Sequence, residues 1–217
     1  STPNEIVDAC SKTNYPNIYI EILSLKALEI ILGNKTKVME KIIRNSNDAR
    51  IKTQLKQTEA GRRLLKNLRK YNITIPKANK PVANYSPYVK TENLLFISGQ
   101  IPIVDGKMLF TGKVNKDVEI PSAVKAAELC MLNSFAILKD AIQNNLNLVR
   151  KCVKINVFIN SDDLFINQPE VADGASNLIT KIMSPNSDHA RSAVSVNSLP
   201  KNATVEIDSV FEIAFER

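Results

Sequence analysis

Arg191 is the residue whose surroundings ask for a chemical explanation. It stands in the stretch His189–Asp208, HARSAVSVNSLPKNATVEID, among small and apolar neighbours. A guanidinium on a largely buried strand needs an anionic partner, because an unpaired buried charge is very costly. Its planar fork of donors suits a carboxylate held by two hydrogen bonds. The strand expected next supplies Glu206 and Asp208 on one face. The carboxylate is then either one of these side chains, in a structural pair, or that of a small acid. The chain's single histidine, His189, excludes a multi-histidine metal centre. Cys10, Cys130 and Cys152 are three in number and widely spaced, which fits neither a disulfide framework nor a zinc site. Cys130 and Cys152 read instead as small buried hydrophobes on a helix and a strand.

The elements that must position these residues follow from periodicity. Ala190–Val196 alternates as a strand, Leu199–Asn202 breaks it with turn chemistry, and Thr204–Phe215 resumes it with Val205, Ile207, Val210, Phe211, Ile213 and Phe215. Upstream, Leu94–Ser98 is a strand that Gly99 ends or bulges, and Asp105-Gly106 is a hairpin turn before Lys107–Phe110. Pro121 opens a long helix whose buried stripe is Ala127, Cys130, Met131, Ser134, Leu138, Ala141 and Ile142. Val149–Asn160 is a strand with Val153, Ile155, Val157 and Ile159 on one face. A second helix runs toward Met183, capped by Asp162 or Asp163 and interrupted early by Pro169 and Gly174. The order β-β-α-β-α-β-β lets two helices cover one face of a single sheet, an α+β layer architecture. Ahead of it, helices fit Asn17–Gly33, Thr36–Asn45, Asp48–Gln57 and Thr58–Tyr71, and the stretch from Ile75-Pro76 to Pro81 is extended.

Three blocks in this order, ISGQIP (Ile97–Pro102), HARSAV (His189–Val194) and SLPKNATVEID (Ser198–Asp208), resemble the signatures of the Rid family. These are the YjgF-like reactive imine/enamine deaminases, also labelled endoribonuclease L-PSP proteins. The likeness covers roughly residues 62–217. It implies a chorismate-mutase-like domain over 76–217, its mixed sheet covered by two helices on one face. It also implies a homotrimer with clefts between subunits, in which neighbouring chains bury the open sheet face. The implied reaction is hydrolysis of 2-imino or 2-enamino acids to 2-keto acids and ammonia, with no metal or organic cofactor. Carried over by motif, Arg191 clamps the substrate carboxylate, and Glu206 positions or activates water or meets the nitrogen. Tyr88 is the aromatic residue at the cleft, Ser98 supplies a hydroxyl there, and the Gly99 backbone lines the pocket. Each has a structural alternative: a core aromatic, a strand-end turn former, a carboxylate that only neutralises Arg191. Three positions depart from the family pattern. Ala193 replaces a cysteine found in many deaminase members, Asp173 stands for an asparagine of the second helix, and His189 stands for a proline.

Charge divides the chain. Residues 1–80 carry sixteen Lys and Arg against seven Asp and Glu, whereas residues 81–217 carry thirteen against fifteen. The basic character belongs to a mostly helical extension over 1–75. There Arg62, Arg63, Lys66 and Arg69 are the residues that would meet phosphates if RNA binds. Missing aromatic interleaving favours an ordinary solvated helix face instead. The competing functions are therefore an imine deaminase, an endoribonuclease or translation inhibitor, and a small-carboxylate binder without turnover. No apolar run reaches the ~20 residues that span a bilayer. The cysteine usage suits a reducing compartment, and a cytoplasmic location is the expectation. The Ser-Thr-Pro opening without Met points to trimming, with any targeting signal lost.

Overall fold

In a computed structural model, residues 58–79 and 84–214 are described. The helices expected over Asn17–Gly33, Thr36–Asn45 and Asp48–Gln57, together with Cys10 and Phe215, lie outside the described residues. The described residues belong to a compact unit that runs from Gln57 to Arg217. It opens with helix α1 (Glu59–Lys70), followed by β1 (Tyr88–Thr91), β2 (Leu94–Gln100), β3 (Ile103–Val104) and β4 (Lys107–Met108). Then come α2 (Ile120–Ala141), β5 (Val149–Asn160), α3 (Gln168–Met183), β6 (Ala190–Val196) and β7 (Val205–Ile213). Five strands form one mixed sheet in the order β1-β2-β7-β5-β6, and β3 and β4 pair separately. The β3–β4 turn is made by Asp105 and Gly106, both at positive φ (48° and 78°), as a two-residue hairpin loop demands.

α2 and α3 cover one face of the sheet, and the core lies between them. Ala127, Cys130, Met131, Ser134 and Leu138 are buried along α2 as the stripe predicts. They meet Ile155, Val157 and Ile159 of β5 and Val205, Ile207, Phe211 and Ile213 of β7, all buried. Phe135 and Phe211 meet edge to face at 5.2 Å. Gly174 does not interrupt α3; it lets α3 and α2 approach, since a Cβ there would lie 2.1 Å from the Val124 carbonyl oxygen.

Two local expectations are corrected. On β5 the register against β7 shifts on either side of Lys151–Cys152, so Cys152 is buried and Val153 only half-buried. Asp162 does not cap α3. Its Oδ1 accepts from Leu164 N at 3.1 Å in a local turn, and the helix begins at Gln168 with Pro169 in its first turn. On β7, Val210 lies on the open face, opposite buried Ser209 and Phe211.

α1 is tied into this unit rather than lying loose before it. Thr58 caps the helix by accepting from Gly61 N at 2.8 Å. Its own backbone N–H donates to the Asn147 carbonyl at 2.7 Å, and its hydroxyl donates to the Val149 carbonyl. Leu64 and Leu68 join the main core, and Asn67 Nδ2 donates to the Ile182 carbonyl at the end of α3, 3.1 Å away. Gly61 rests on the Asn147 backbone, where a Cβ would sit 2.5 Å from the carbonyl carbon. In an isolated helix Gly→Ala stabilises by about 1 kcal/mol. Here Gly61→Ala is expected to destabilise by about 1–3 kcal/mol through overpacking. A urea-unfolding midpoint that rises instead would show that α1 does not dock on this turn.

Candidate functional site

The closing strands are not a paired hairpin. β6 pairs only with β5, in parallel, and β7 pairs with β5 from the other side, antiparallel. β5 thus lies between Arg191 and Glu206. Arg191 registers with buried Ile155 and so faces the helices, whereas Glu206 registers with Phe158 on the open face. Within one chain the two residues are on opposite sides of the sheet. The expectation of a largely buried strand is also corrected: β6 is an edge strand, exposed along most of its length.

Arg191 finds its partners on α3. Nη1 donates to Asp173 Oδ1 at 2.7 Å and to Ser176 Oγ at 3.0 Å. Asp173 and Ser176, three residues apart, share one face of α3. The Arg191 side chain keeps 26% of its surface and Asp173 keeps 54%, so the ion pair itself contributes only about 0–1 kcal/mol. Nη2 and Nε donate to no described residue, and three of the five guanidinium protons remain for another acceptor. His189 completes the cluster, with Nε2 2.9 Å from Ser176 Oγ and Nδ1 2.8 Å from the Ser187 carbonyl oxygen. Ala193, where the family cysteine would stand, is half-buried against the core on the same face.

The second cluster gathers on the other side of β7. Glu206 shares a cleft of about 90 Å3 with Tyr85, Pro87, Gly99, Gln100 and Asn79. Gly99 lies against the Glu206 side chain, where a Cβ would stand 1.9 Å from Oε1 and the carboxylate would have to swing away. Burial pushes the Glu206 carboxyl above the ordinary glutamate range, and the like charge of Asp208 adds to it. Asp208 is itself held by Asn156 Nδ2 at 2.7 Å. Tyr88, with Ile97 as its cross-strand partner, packs half-buried against the core, and Tyr85 is the aromatic residue at the cleft. Ser98 donates its hydroxyl to the Ser86 carbonyl at 2.7 Å, which ties β2 to the segment entering β1.

Sequence reasoning missed Ser176, Tyr85 and Asn79. The Asp173–Ser176 spacing was a usable helix-face signal; nothing in the pattern marked the other two. Among the basic residues of α1, Arg62, Lys66 and Arg69 are exposed, and Arg63 is paired with Glu59.

With this geometry in place, the chain can be set beside known proteins. Residues 66–212 match the family model described as "YjgF/chorismate_mutase-like, putative endoribonuclease", and the chain belongs to that family, the YjgF/Rid proteins. Protein TCP17 of Trypanosoma cruzi is 36% identical over 71% of this chain and 96% of its own length. A 2-iminobutanoate/2-iminopropanoate deaminase of Dermatophagoides farinae is 29% identical over 65% of this chain and 94% of its own. The crystal structure of an Agrobacterium tumefaciens protein of unknown function superposes with a TM-score of 0.65 at 42% identity, covering 71% of this chain and 94% of that one. The fold is thus the chorismate-mutase-like one that the motifs imply. Among the described residues no helix is long and apolar enough to cross a membrane.

Both described thiols are buried. Burial raises Cys130 well above the usual thiol range and the nearby Glu206 charge adds to it, and burial pushes Cys152 up to about 12. With Cys10 replaced by Ser, the native chain at about pH 8 is expected to leave a disulfide reagent unconsumed, while the denatured chain titrates both thiols. Rapid native labelling would mean that one of these strands or helices opens easily.

Proposed function

We propose that the chain hydrolyses small 2-imino acids to 2-keto acids and ammonia, in a site assembled between copies of itself. The observation that carries this is the partly used guanidinium. Arg191 is oriented by Asp173 and Ser176 on an edge strand, with Nη2 and Nε directed to no described acceptor. A monocarboxylate held by those donors brings its imine carbon to the same edge. Asp173 offsets part of the positive charge, so the site favours an acid that also carries a protonated imine nitrogen over a plain carboxylate. The similarity to an imine deaminase supports the same reaction class.

Glu206 enters from a second chain in this proposal. One chain holds it on the far face of the sheet, beside Gly99 and Tyr85. A carboxyl raised by burial is suited to keep a proton and meet the substrate nitrogen. The open face that would bring chains together carries Val89, Phe96 and Val194, exposed at 60%, 44% and 47%. Val89, Phe96 and half-buried Val210 form one cross-strand row. A sheet with helices on one side and such a row on the other is stabilised by association. A homotrimer is the assembly proposed.

Two measurements test this. Chain added to 2-iminobutanoate, generated from threonine by a pyridoxal-phosphate dehydratase, should speed release of 2-ketobutanoate; Arg191→Ala should lower kcat/KM at least about 100-fold. Equal rates for the two proteins would end the clamp. Sedimentation should give three times the 24.1 kDa chain mass, and Phe96→Glu should shift it toward one chain.

The exposed row Arg62, Lys66 and Arg69 favours a second reading, RNA binding along α1. Reversing these three charges should abolish salt-sensitive RNA retention if α1 is the contact. Unchanged retention would place any RNA contact elsewhere.

A further inference from the structure

The proposed reaction needs a group that takes a proton from water and later returns one to nitrogen. Glu206 is on the far face of the chain that supplies Arg191 and, entering from a second chain, is assigned to the nitrogen rather than to the water; the Cys152 and Cys130 thiols are buried. The Arg191 cluster holds another candidate, built on Ser176, which none of the family motifs points to. Ser176 Oγ lies 2.9 Å from His189 Nε2 and 3.0 Å from Arg191 Nη1.

The hydrogen bonds define their own direction. The Ser187 carbonyl can only accept, so His189 Nδ1, 2.8 Å away, carries a proton. In the neutral ring Nε2 is then an acceptor, and the Ser176 hydroxyl donates to it. Ser176 Oγ spends one lone pair on Arg191 Nη1 and keeps a second. A water donating to that lone pair would sit beside a carboxylate held on the remaining guanidinium donors. The arrangement is a hydroxyl, a base and an acceptor that orients the base, the geometry by which a hydroxyl or water is activated.

We propose that Ser176 and His189 are the proton relay of this site, an inference that rests on the imine-hydrolysis reading above. The attacking water forms a bond to the imine carbon and gives its proton to Ser176 Oγ, as Ser176 passes its own proton to His189 Nε2. The C=N π pair moves to nitrogen, leaving a carbinolamine. The imidazolium then returns its proton through Ser176 to that nitrogen. The C–N bond breaks toward nitrogen, the hydroxyl oxygen becomes the ketone, and its proton leaves with ammonia as ammonium. One water is consumed and nothing is oxidised or reduced. His189 acts through Ser176 as a positioning residue; Ser176 touches the reacting water.

Because His189 is the chain's one histidine, imidazole measurements report on it alone. With 2-iminobutanoate as substrate, His189→Ala and Ser176→Ala should each lower kcat about 100-fold or more with KM changed less than about threefold. Added imidazole should restore part of the His189→Ala rate, and Ser176→Thr should retain most of the wild-type rate. A His189→Ala protein as fast as wild type, beside an inactive Arg191→Ala, overturns the relay and leaves the clamp standing. So does a fall that appears in KM and does not respond to imidazole. A wild-type chain that does not speed hydrolysis overturns both. Should a variant fail to fold, 15N spectra of the wild-type imidazole keep the idea testable. The expected result is an unprotonated Nε2 whose resonance moves when 2-ketobutanoate binds; a protonated Nε2 in the neutral ring contradicts the relay.

Discussion

One strand placement governs this molecule: β5 lies between β6 and β7. Neighbouring strands are about 4.8 Å apart, and Arg191 and Glu206 register with Ile155 and Phe158, three residues apart on β5, so their backbones are separated by roughly 14 Å before either side chain departs. The alternation of side chains then sends them to opposite faces. The chain passes from β6 to β7 through the short helical turn Pro200–Asn202, with Lys201 and Asn202 at positive φ (both 56°), rather than through a hairpin. It crosses over the end of β5 instead of folding back beside β6. Every statement about the site follows from that crossing.

Its first consequence is that Arg191 stands on an edge. A guanidinium in a closed interior would demand complete neutralisation. On an exposed strand it needs only orientation, and α3 supplies that through Asp173 and Ser176 on one helical face. A second polar link anchors the edge nearby. Ser195, two strand positions beyond Ala193 on the same face, accepts from Ser161 Oγ at 2.8 Å and from Gln168 Nε2 at 2.9 Å. The seam between α3 and β6 is thus hydrogen-bonded where the remainder of the sheet is packed. A polar seam leaves donors for a ligand; a packed one would not.

The second consequence concerns how closely the layers approach. Two glycines sit in close contacts: Gly174 against the α2 backbone, which any other residue would push apart, and Gly99 beneath the flexible end of the Glu206 side chain. The first sets the spacing of the helical layer that presents Asp173 and Ser176. At the second, the Glu206 carboxyl is partly buried, which together with the Asp208 charge is why its proton is retained more strongly than usual.

Much of this was legible in the residues themselves. The strands Val149–Asn160 and Ala190–Val196, the stripe of α2 and the Asp105-Gly106 turn follow from periods of two and 3.6 and from backbone preferences. These are local properties, and neighbours in sequence settle them. The motif blocks carried the family for the same reason, being short runs read in order. The start of α3 was misplaced because Asp162 satisfied a turn of its own, and Val153 because a bulge shifted the register. Both outcomes depend on what a strand pairs with. The partner of Arg191 was likewise a matter of tertiary structure. Glu206, Asp208 and Asp173 lie at similar distances from Arg191 along the chain, and only the sheet order made Asp173, on a helix, the one near in space. Sequence alone determined which elements form and, outside bulges and helix starts, which side chains share a face. The insertion of β5, the pairing of Arg191 with α3 and the Ser176–His189 contact were decided only when the sheet order was set. Strand order depends on contacts between distant residues, which local pattern does not encode.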